Sequence, residues 1–260
     1  MQISMKEKKI RISLVGYTNT IPFLHGLKSH FTENEIEIIP DSPSQCAQKI
    51  ESGESDIGLI PVAVIPHLKN CQIISNYCIG TEKKVDSVLL YSEKPLPEIK
   101  KILLDYQSRT SVELVKILCQ EHWNINPHFV PASVGFETSI RNDTAGVIIG
   151  DRTFVLNNKF KFQYDLAEEW NSLTGLPFVF ACWVSVNKLP EKFITKFNDA
   201  LSFGVNNILQ GIKEYKNNSL SEEECLFYLT ERINYQLTEK KQKALERFLS
   251  KIHQKNNDAN

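Results

Sequence analysis

Pro177-Phe178-Val179-Phe180-Ala181-Cys182-Trp183-Val184-Ser185-Val186 is a strongly β-prone run that follows a helix-like segment containing Trp170 and ending at Thr174-Gly175. Its counterpart upstream is Val85-Asp86-Ser87-Val88-Leu89-Leu90-Tyr91, a second long β-rich run, after which Pro95 and Pro97 break the pattern. At the upstream run one region hands over to another, and at the later run the chain returns to where it began. This reading divides the chain into two α/β lobes. Residues 1–91 and 180–260 form lobe one, and residues 92–179 form lobe two. A cleft between two such lobes is a common place for a small ligand.

On either side of these runs, strand-like and helix-like segments alternate, which favours an α/β fold with largely parallel sheets. Residues 10–15, 35–39 and 56–60 read as strands of the first region, and residues 101–104, 127–130 and 145–149 as strands of the second. Between them, Ser42-Pro43-Ser44-Gln45 opens a helix. Ser42 caps, Pro43 takes the first helical position and Gln45 completes a capping box, with Gly53 as the stop. Thr110 and Glu113 have the same capping-box spacing at the head of a helix that runs to about Gln120. Beyond Pro190 the signal is helical, with Phe193, Phe197 and Leu201 on one face and further helices over 222–232 and 239–252, the last capped by Thr238. Residues 254–260 are polar and read as a frayed end.

Composition limits the function. With 42 % hydrophobic residues in 260 the chain buries a real core, so it is not disordered. Thirty basic side chains against 31 acidic ones leave a net charge of -1, which argues against nucleic-acid binding. No stretch approaches the roughly 20 apolar residues of a membrane span. The basic cluster Lys6, Lys8, Lys9 and Arg11 precedes an apolar run, as in a signal peptide. That run is broken by Arg11 and Ser13 and has no small-residue cleavage site, so it reads as a first strand. The six cysteines form no C-x-x-C pair and the six histidines fit no metal template. The expectation is a cytosolic protein with reduced thiols, no metal site and no membrane partner.

Three polar loops follow predicted strands, where an open parallel sheet places its ligands. Gly16-Tyr17-Thr18-Asn19-Thr20 either caps a helix or turns Asn19 into the cleft as a neutral hydrogen-bonding group. Ser108-Arg109-Thr110-Ser111 is either a plain cap or an anion site made of hydroxyls and free amides, with Arg109 able to grip a carboxylate. Ile149-Gly150-Asp151 offers Asp151 as a helix cap or as an acid. Ser87 lies in a strand with no G-x-S-x-G elbow, and no G-x-G-x-x-G or P-loop supports a nucleotide.

Taken in order, these segments resemble the chorismate dehydratase family. The resemblance is carried by Tyr17-Thr18-Asn19-Thr20-Ile21-Pro22, by Gly53-Glu54-Ser55-Asp56-Ile57-Gly58-Leu59-Ile60-Pro61-Val62, and by Val85-Asp86-Ser87-Val88-Leu89-Leu90-Tyr91-Ser92. It continues through Asp105 with Ser108-Arg109-Thr110-Ser111, Ile149-Gly150-Asp151, and Trp170 followed by Thr174-Gly175-Leu176-Pro177-Phe178-Val179-Phe180. It implies a fold like the type II periplasmic binding proteins and the loss of water from chorismate, a small dianion, to give 3-[(1-carboxyvinyl)oxy]benzoate on the futalosine route to menaquinone. It implies Asn19 and Ser87 as catalytic residues and no cofactor. It implies Thr110 and Ser111 as a carboxylate-binding segment. The expected substrate-binding set as a whole is Tyr17, Ser44, Arg109, Thr110, Ser111, Asp151, Thr174 and Gly175. Neither Asn19 nor Ser87 is a base at neutral pH, so the substrate's own side-chain carboxylate is expected to take the ring proton. This chain departs from the family at Thr18, where Leu is usual, and at Thr81-Glu82-Lys83-Lys84, where glycine is commoner. The alternatives are a 1,4-dihydroxy-6-naphthoate synthase-like enzyme, a non-catalytic binder of small anions on the same fold, and an aromatic-acid sensing domain.

Overall fold

The computed structural model describes residues 9–156, 159–215 and 220–258; the basic residues Lys6 and Lys8 lie outside them. The chain begins with β1 (Ile10–Val15), α1 (Ile21–His30), β2 (Ile36–Asp41), α2 (Pro43–Ser52), β3 (Ile57–Pro61) and β4 (Gln72–Thr81). It continues through β5 (Val88–Ser92), β6 (Lys101–Leu104), α3 (Thr110–Glu121), β7 (His128–Pro131), β8 (Thr144–Ile149), α4 (Arg152–Leu156), β9 (Phe162–Asp165) and α5 (Leu166–Thr174). The last part comprises β10 (Phe178–Ser185), α6 (Glu191–Asn206), α7 (Ile208–Tyr215), α8 (Glu222–Phe227), β11 (Asn234–Gln236) and α9 (Glu239–Asp258).

Two sheets form. The first has six strands in the order β11-β4-β10-β3-β1-β2, and the second has five in the order β7-β6-β8-β5-β9. The β-prone run after Pro177 is β10, which lies antiparallel between β3 and β4 in the first sheet. β5 pairs antiparallel with β8 and β9, so Val88–Ser92 belongs to the second sheet. The sheets are therefore mixed, not largely parallel. Only β1 with β2 and β3, and β6 with β7 and β8, run parallel. The other ladders are antiparallel and join strands far apart in the chain: β10 with β3 and β4, β11 with β4, and β5 with β8 and β9.

Local chemistry sets the elements that frame the cleft. Ser42 caps α2 in a full capping box and Gly53 closes it at φ 74°. The start of α3 differs from the expected box, because Thr110 does not cap it. Ser108 does, its hydroxyl accepting from Ser111 N at 3.0 Å. α9 reaches Asp258, so the expected frayed end from residue 254 is a continuing helix. α1 and α6 cross in backbone contact: a Cβ on Gly26 would lie 1.9 Å from the Ala200 carbonyl oxygen, and one on Gly204 1.8 Å from that of Pro22. Any side chain there would push the helices apart. The main core runs from Ile12 and Phe23 through Trp183, Phe178 and Trp170 to Phe248 of α9, while a smaller cluster around Tyr91 and Ile148 lies on the other face of the second sheet. Among the described residues, no helix is long and apolar enough to cross a membrane.

Candidate active site

Where the ends of β1, β5 and β8 approach the start of α3, a pocket opens between the two sheets. Its walls are apolar, including Val15, Leu59, Ile79, Val88 and Phe180. Its polar groups are Tyr17, Asn19, Thr20, Ser87, Ser108, Thr110 and Ser111. No charged side chain is among the described residues that line it. Pro43, in the first turn of α2, and Thr110 and Ser111, in the first turn of α3, bring two helix N-termini to the pocket from opposite lobes. Each carries partial positive charge and suits an anion.

The loop after β1 is braced from within. Thr20 donates its hydroxyl proton toward the carbonyls of Val15 at 2.6 Å and Tyr17 at 2.8 Å. Neither Tyr17 nor Thr20 makes a side-chain cap, so the capping reading of this loop does not hold. Tyr235 donates to the Asn19 carbonyl at 3.0 Å and fixes its backbone. The Asn19 Oδ1 atom is buried and has no hydrogen-bond partner among the described residues. An orphaned buried acceptor costs roughly 1–3 kcal/mol, so it calls for a ligand donor or another explanation. Ser87, buried at the entry to β5, accepts from Tyr228 at 2.7 Å.

The other expected site residues divide into two groups. Tyr17, Thr110 and Ser111 line the pocket with Asn19 and Ser87. The Thr110 hydroxyl is already used: it accepts from Ala63 N at 3.3 Å and donates to the Phe180 carbonyl at 3.1 Å. Tyr17 donates to Gln107 Oε1 at 2.7 Å, and burial pushes its phenol well up, so it stays neutral. Its ring lies over Gly150, where a Cβ would meet it at 2.7 Å. Ser44, Arg109, Asp151, Thr174 and Gly175 are not on the pocket wall. The Ser44 hydroxyl pairs with that of Ser42 at 3.3 Å. Arg109 is exposed at the head of α3. Thr174 bonds the Trp170 carbonyl and Gly175 ends α5 at φ 69°, so both shape a helix end. Asp151 stands directly before α4, and its carboxylate accepts from the Thr18 amide and hydroxyl. The hydroxyl bond exists because Thr18 stands where the family resemblance expects Leu.

Two residues were missed from sequence. Asp105 ties the site loops together, accepting from Gln107 N at 2.9 Å and Ile149 N at 3.0 Å and pairing with Arg152. It stands within the motif that carries the resemblance, but nothing in its spacing indicates that role. Tyr228 lies in the helical last third, where the sequence shows only an apolar position.

Fold and pocket together define a two-lobed, binding-protein-like architecture with its ligand site between the lobes. Solved structures agree. A protein from Archaeoglobus fulgidus superposes with a TM-score of 0.76 at 16 % identity, covering 95 % of this chain and 98 % of that one. The periplasmic aliphatic sulphonate binding protein of Escherichia coli superposes at 0.62 and 15 % identity, covering 96 % and 93 %. A chorismate dehydratase of Campylobacter jejuni is 36 % identical over 242 residues, 90 % of this chain and 94 % of that protein. One of Thermus thermophilus is 24 % identical over 214 residues, 75 % and 77 %. The sequence profile of the menaquinone biosynthesis family matches residues 10–254, and this chain belongs to that family.

Proposed function

We propose that this protein is a chorismate dehydratase, removing water from chorismate to form 3-[(1-carboxyvinyl)oxy]benzoate in the cytoplasm, on the futalosine route to menaquinone. The observation that carries this reading is the orphaned Asn19 Oδ1 beside Ser87, in an uncharged pocket that two helix N-termini approach. A dianion with one ring needs two anion sites and an apolar wall, and the pocket has both. The relatives from Campylobacter jejuni and Thermus thermophilus named as chorismate dehydratases support the same reading.

The chemistry follows from the residue types. Loss of the ring proton beside the enol ether builds negative charge that spreads into the ring carboxylate. Fixed N–H donors at the start of α3, with the Ser111 hydroxyl, stabilise that charge more as it grows. Asn19 Oδ1 is an acceptor, so it suits the leaving hydroxyl, which donates, better than a carboxylate. The Ser87 hydroxyl binds the other end of the substrate. The side-chain carboxylate of chorismate takes the ring proton and returns it to the departing hydroxyl, so proton and hydroxide leave together as water. Aromatisation of the ring drives the step. The protein's part is to hold the reacting groups in line.

Incubating the purified protein with chorismate tests this directly. Loss of the diene absorbance with a product lighter by one water supports the dehydratase. Binding of chorismate with no mass change identifies a solute-binding protein instead and ends the proposal.

A further inference from the structure

The polar chain in the pocket does not stop at Ser87. Tyr228 opens a single wide turn, Tyr228–Arg232, directly after α8, and the Ile233 amide closes this turn on the Tyr228 carbonyl at 3.1 Å. Wide turns of this kind interrupt a regular helix and recur at functional sites. Here the turn sends the Tyr228 ring inward, edge-on to Phe154 with centroids 4.9 Å apart. The side chain is buried, and its hydroxyl donates to Ser87 Oγ at 2.7 Å. The Asn19 side chain faces the same hydroxyl. The bond that fixes the Tyr228 hydroxyl is the one to Ser87.

We propose that Tyr228 is a positioning residue that locks the Ser87 hydroxyl as a hydrogen-bond donor toward the pocket. A serine hydroxyl has one proton and two lone pairs, and a free one rotates to suit its neighbour. With Tyr228 donating to the serine oxygen, the Ser87 proton must point elsewhere, and the open side is the pocket. Burial pushes the Tyr228 phenol far above its ordinary range, so the tyrosine keeps its proton and stays a donor at any working pH. A donor fixed in advance serves a carboxylate or ether oxygen of an anionic substrate and needs no reorganisation when that oxygen gains charge. This inference rests on the dehydratase reading, in which Ser87 touches the substrate.

Tyr228→Phe removes one oxygen and keeps the ring on Phe154. The expected result is a fall in kcat of about 10- to 100-fold, the scale of one lost buried hydrogen bond to a reacting group, with KM changed by less than about threefold. The double variant Tyr228→Phe/Ser87→Ala is expected to be no slower than Ser87→Ala alone, because Tyr228 acts only through Ser87. A merely structural tyrosine would lower activity by its full factor in both backgrounds. A kcat within about twofold of wild type for Tyr228→Phe, or losses that multiply in the double variant, overturns the proposal. A second readout does not depend on turnover or on the folding of Tyr228→Phe. The wild-type protein should show a slowly exchanging tyrosine hydroxyl proton by NMR that moves in Ser87→Ala. If no such signal is seen, or if it is unmoved, Tyr228 does not bond Ser87. Wild-type protein that fails to turn over chorismate would sink the dehydratase reading, while the hydroxyl signal still decides the hydrogen bond.

Discussion

Thr18 and Asp151 meet across the cleft: the Thr18 amide and hydroxyl both donate to the Asp151 carboxylate, at 3.1 Å and 3.0 Å, although 133 residues separate them. The two residues follow β1 in the first sheet and β8 in the second, so the contact fastens one lobe to the other. Hydrogen bonds to a carboxylate contribute about 1.5–3 kcal/mol each way of counting. Weakening them loosens the alignment of the two lobes on which the pocket depends, and apparent affinity should fall. Asp151→Ala should raise KM about 10-fold with kcat changed less than about threefold. Thr18→Leu keeps the amide bond and should raise KM by only about threefold. Steady-state kinetics on both variants checks this, and an effect on kcat alone would count against a fastening role.

Asn19 should separate stability from activity. Its buried Oδ1 has no partner among the described residues, so the folded protein without ligand carries an uncompensated cost. Asn19→Ala removes that cost at the expense of a few van der Waals contacts. Calorimetry should find the melting temperature unchanged or raised. Turnover of chorismate should fall by about 100-fold or more, the scale of one lost group that stabilises developing charge. A variant that melts clearly lower and keeps its activity would show that Asn19 is a structural residue.

How much of this was legible in the sequence differs by element. The β10 run and the α2 capping box were legible because their determinants are local: a dense apolar run, and a Ser-Pro-x-Gln spacing. β4 was not, because its early residues Gln72, Ile73 and Asn76 are exposed and the ladder with β10 shifts register twice, which destroys a clean period. At the site, Asn19 and Ser87 came from family resemblance. The polar loops they occupy read equally well as caps until tertiary contacts show otherwise. Tyr228 was out of reach because its role depends on a wide turn and a partner 141 residues away. Arg109 was the reverse case: a charge beside a helix start suggests an anion grip, yet the backbone turns it to solvent.

Gly150 sits at φ 69° directly beneath the Tyr17 ring, where a Cβ would fall at 2.7 Å. Gly150→Ala therefore meets two costs, a left-handed backbone and a displaced aromatic ring. The backbone alone is worth roughly 1–2 kcal/mol, and the displaced ring should bring the loss to about 3 kcal/mol. Denaturant unfolding measures it. In a Tyr17→Ala background the ring is gone, and the added cost of Gly150→Ala should fall to the backbone part. An equal cost in both backgrounds would show that Tyr17 is not what excludes a side chain.

Asp165 couples the same loop to pH. One carboxylate oxygen accepts from Val85 N at 2.9 Å and Asp86 N at 2.7 Å, just before Ser87; the other accepts from Ala167 N at 3.0 Å and Glu168 N at 3.2 Å. Burial pushes the carboxyl up to about 6 from the ordinary 3.8, outweighing the pull of those amides, and the Asp86 charge adds to the rise. Between these values the folded protein holds a proton that the unfolded chain has lost. Stability from this group is thus complete below about pH 4 and is lost as pH rises through about 6, by up to roughly 3 kcal/mol. Activity should move the other way. The ionised form offers acceptors to all four amides and holds Ser87 firmly, so kcat should rise over the same interval. Asp165→Asn should abolish both trends while lowering activity at neutral pH. Carboxyl carbon NMR locates the titration directly. A midpoint near the ordinary value, with stability flat between pH 4 and pH 6, would mean that the four amides outweigh burial and that Asp165 is ionised throughout.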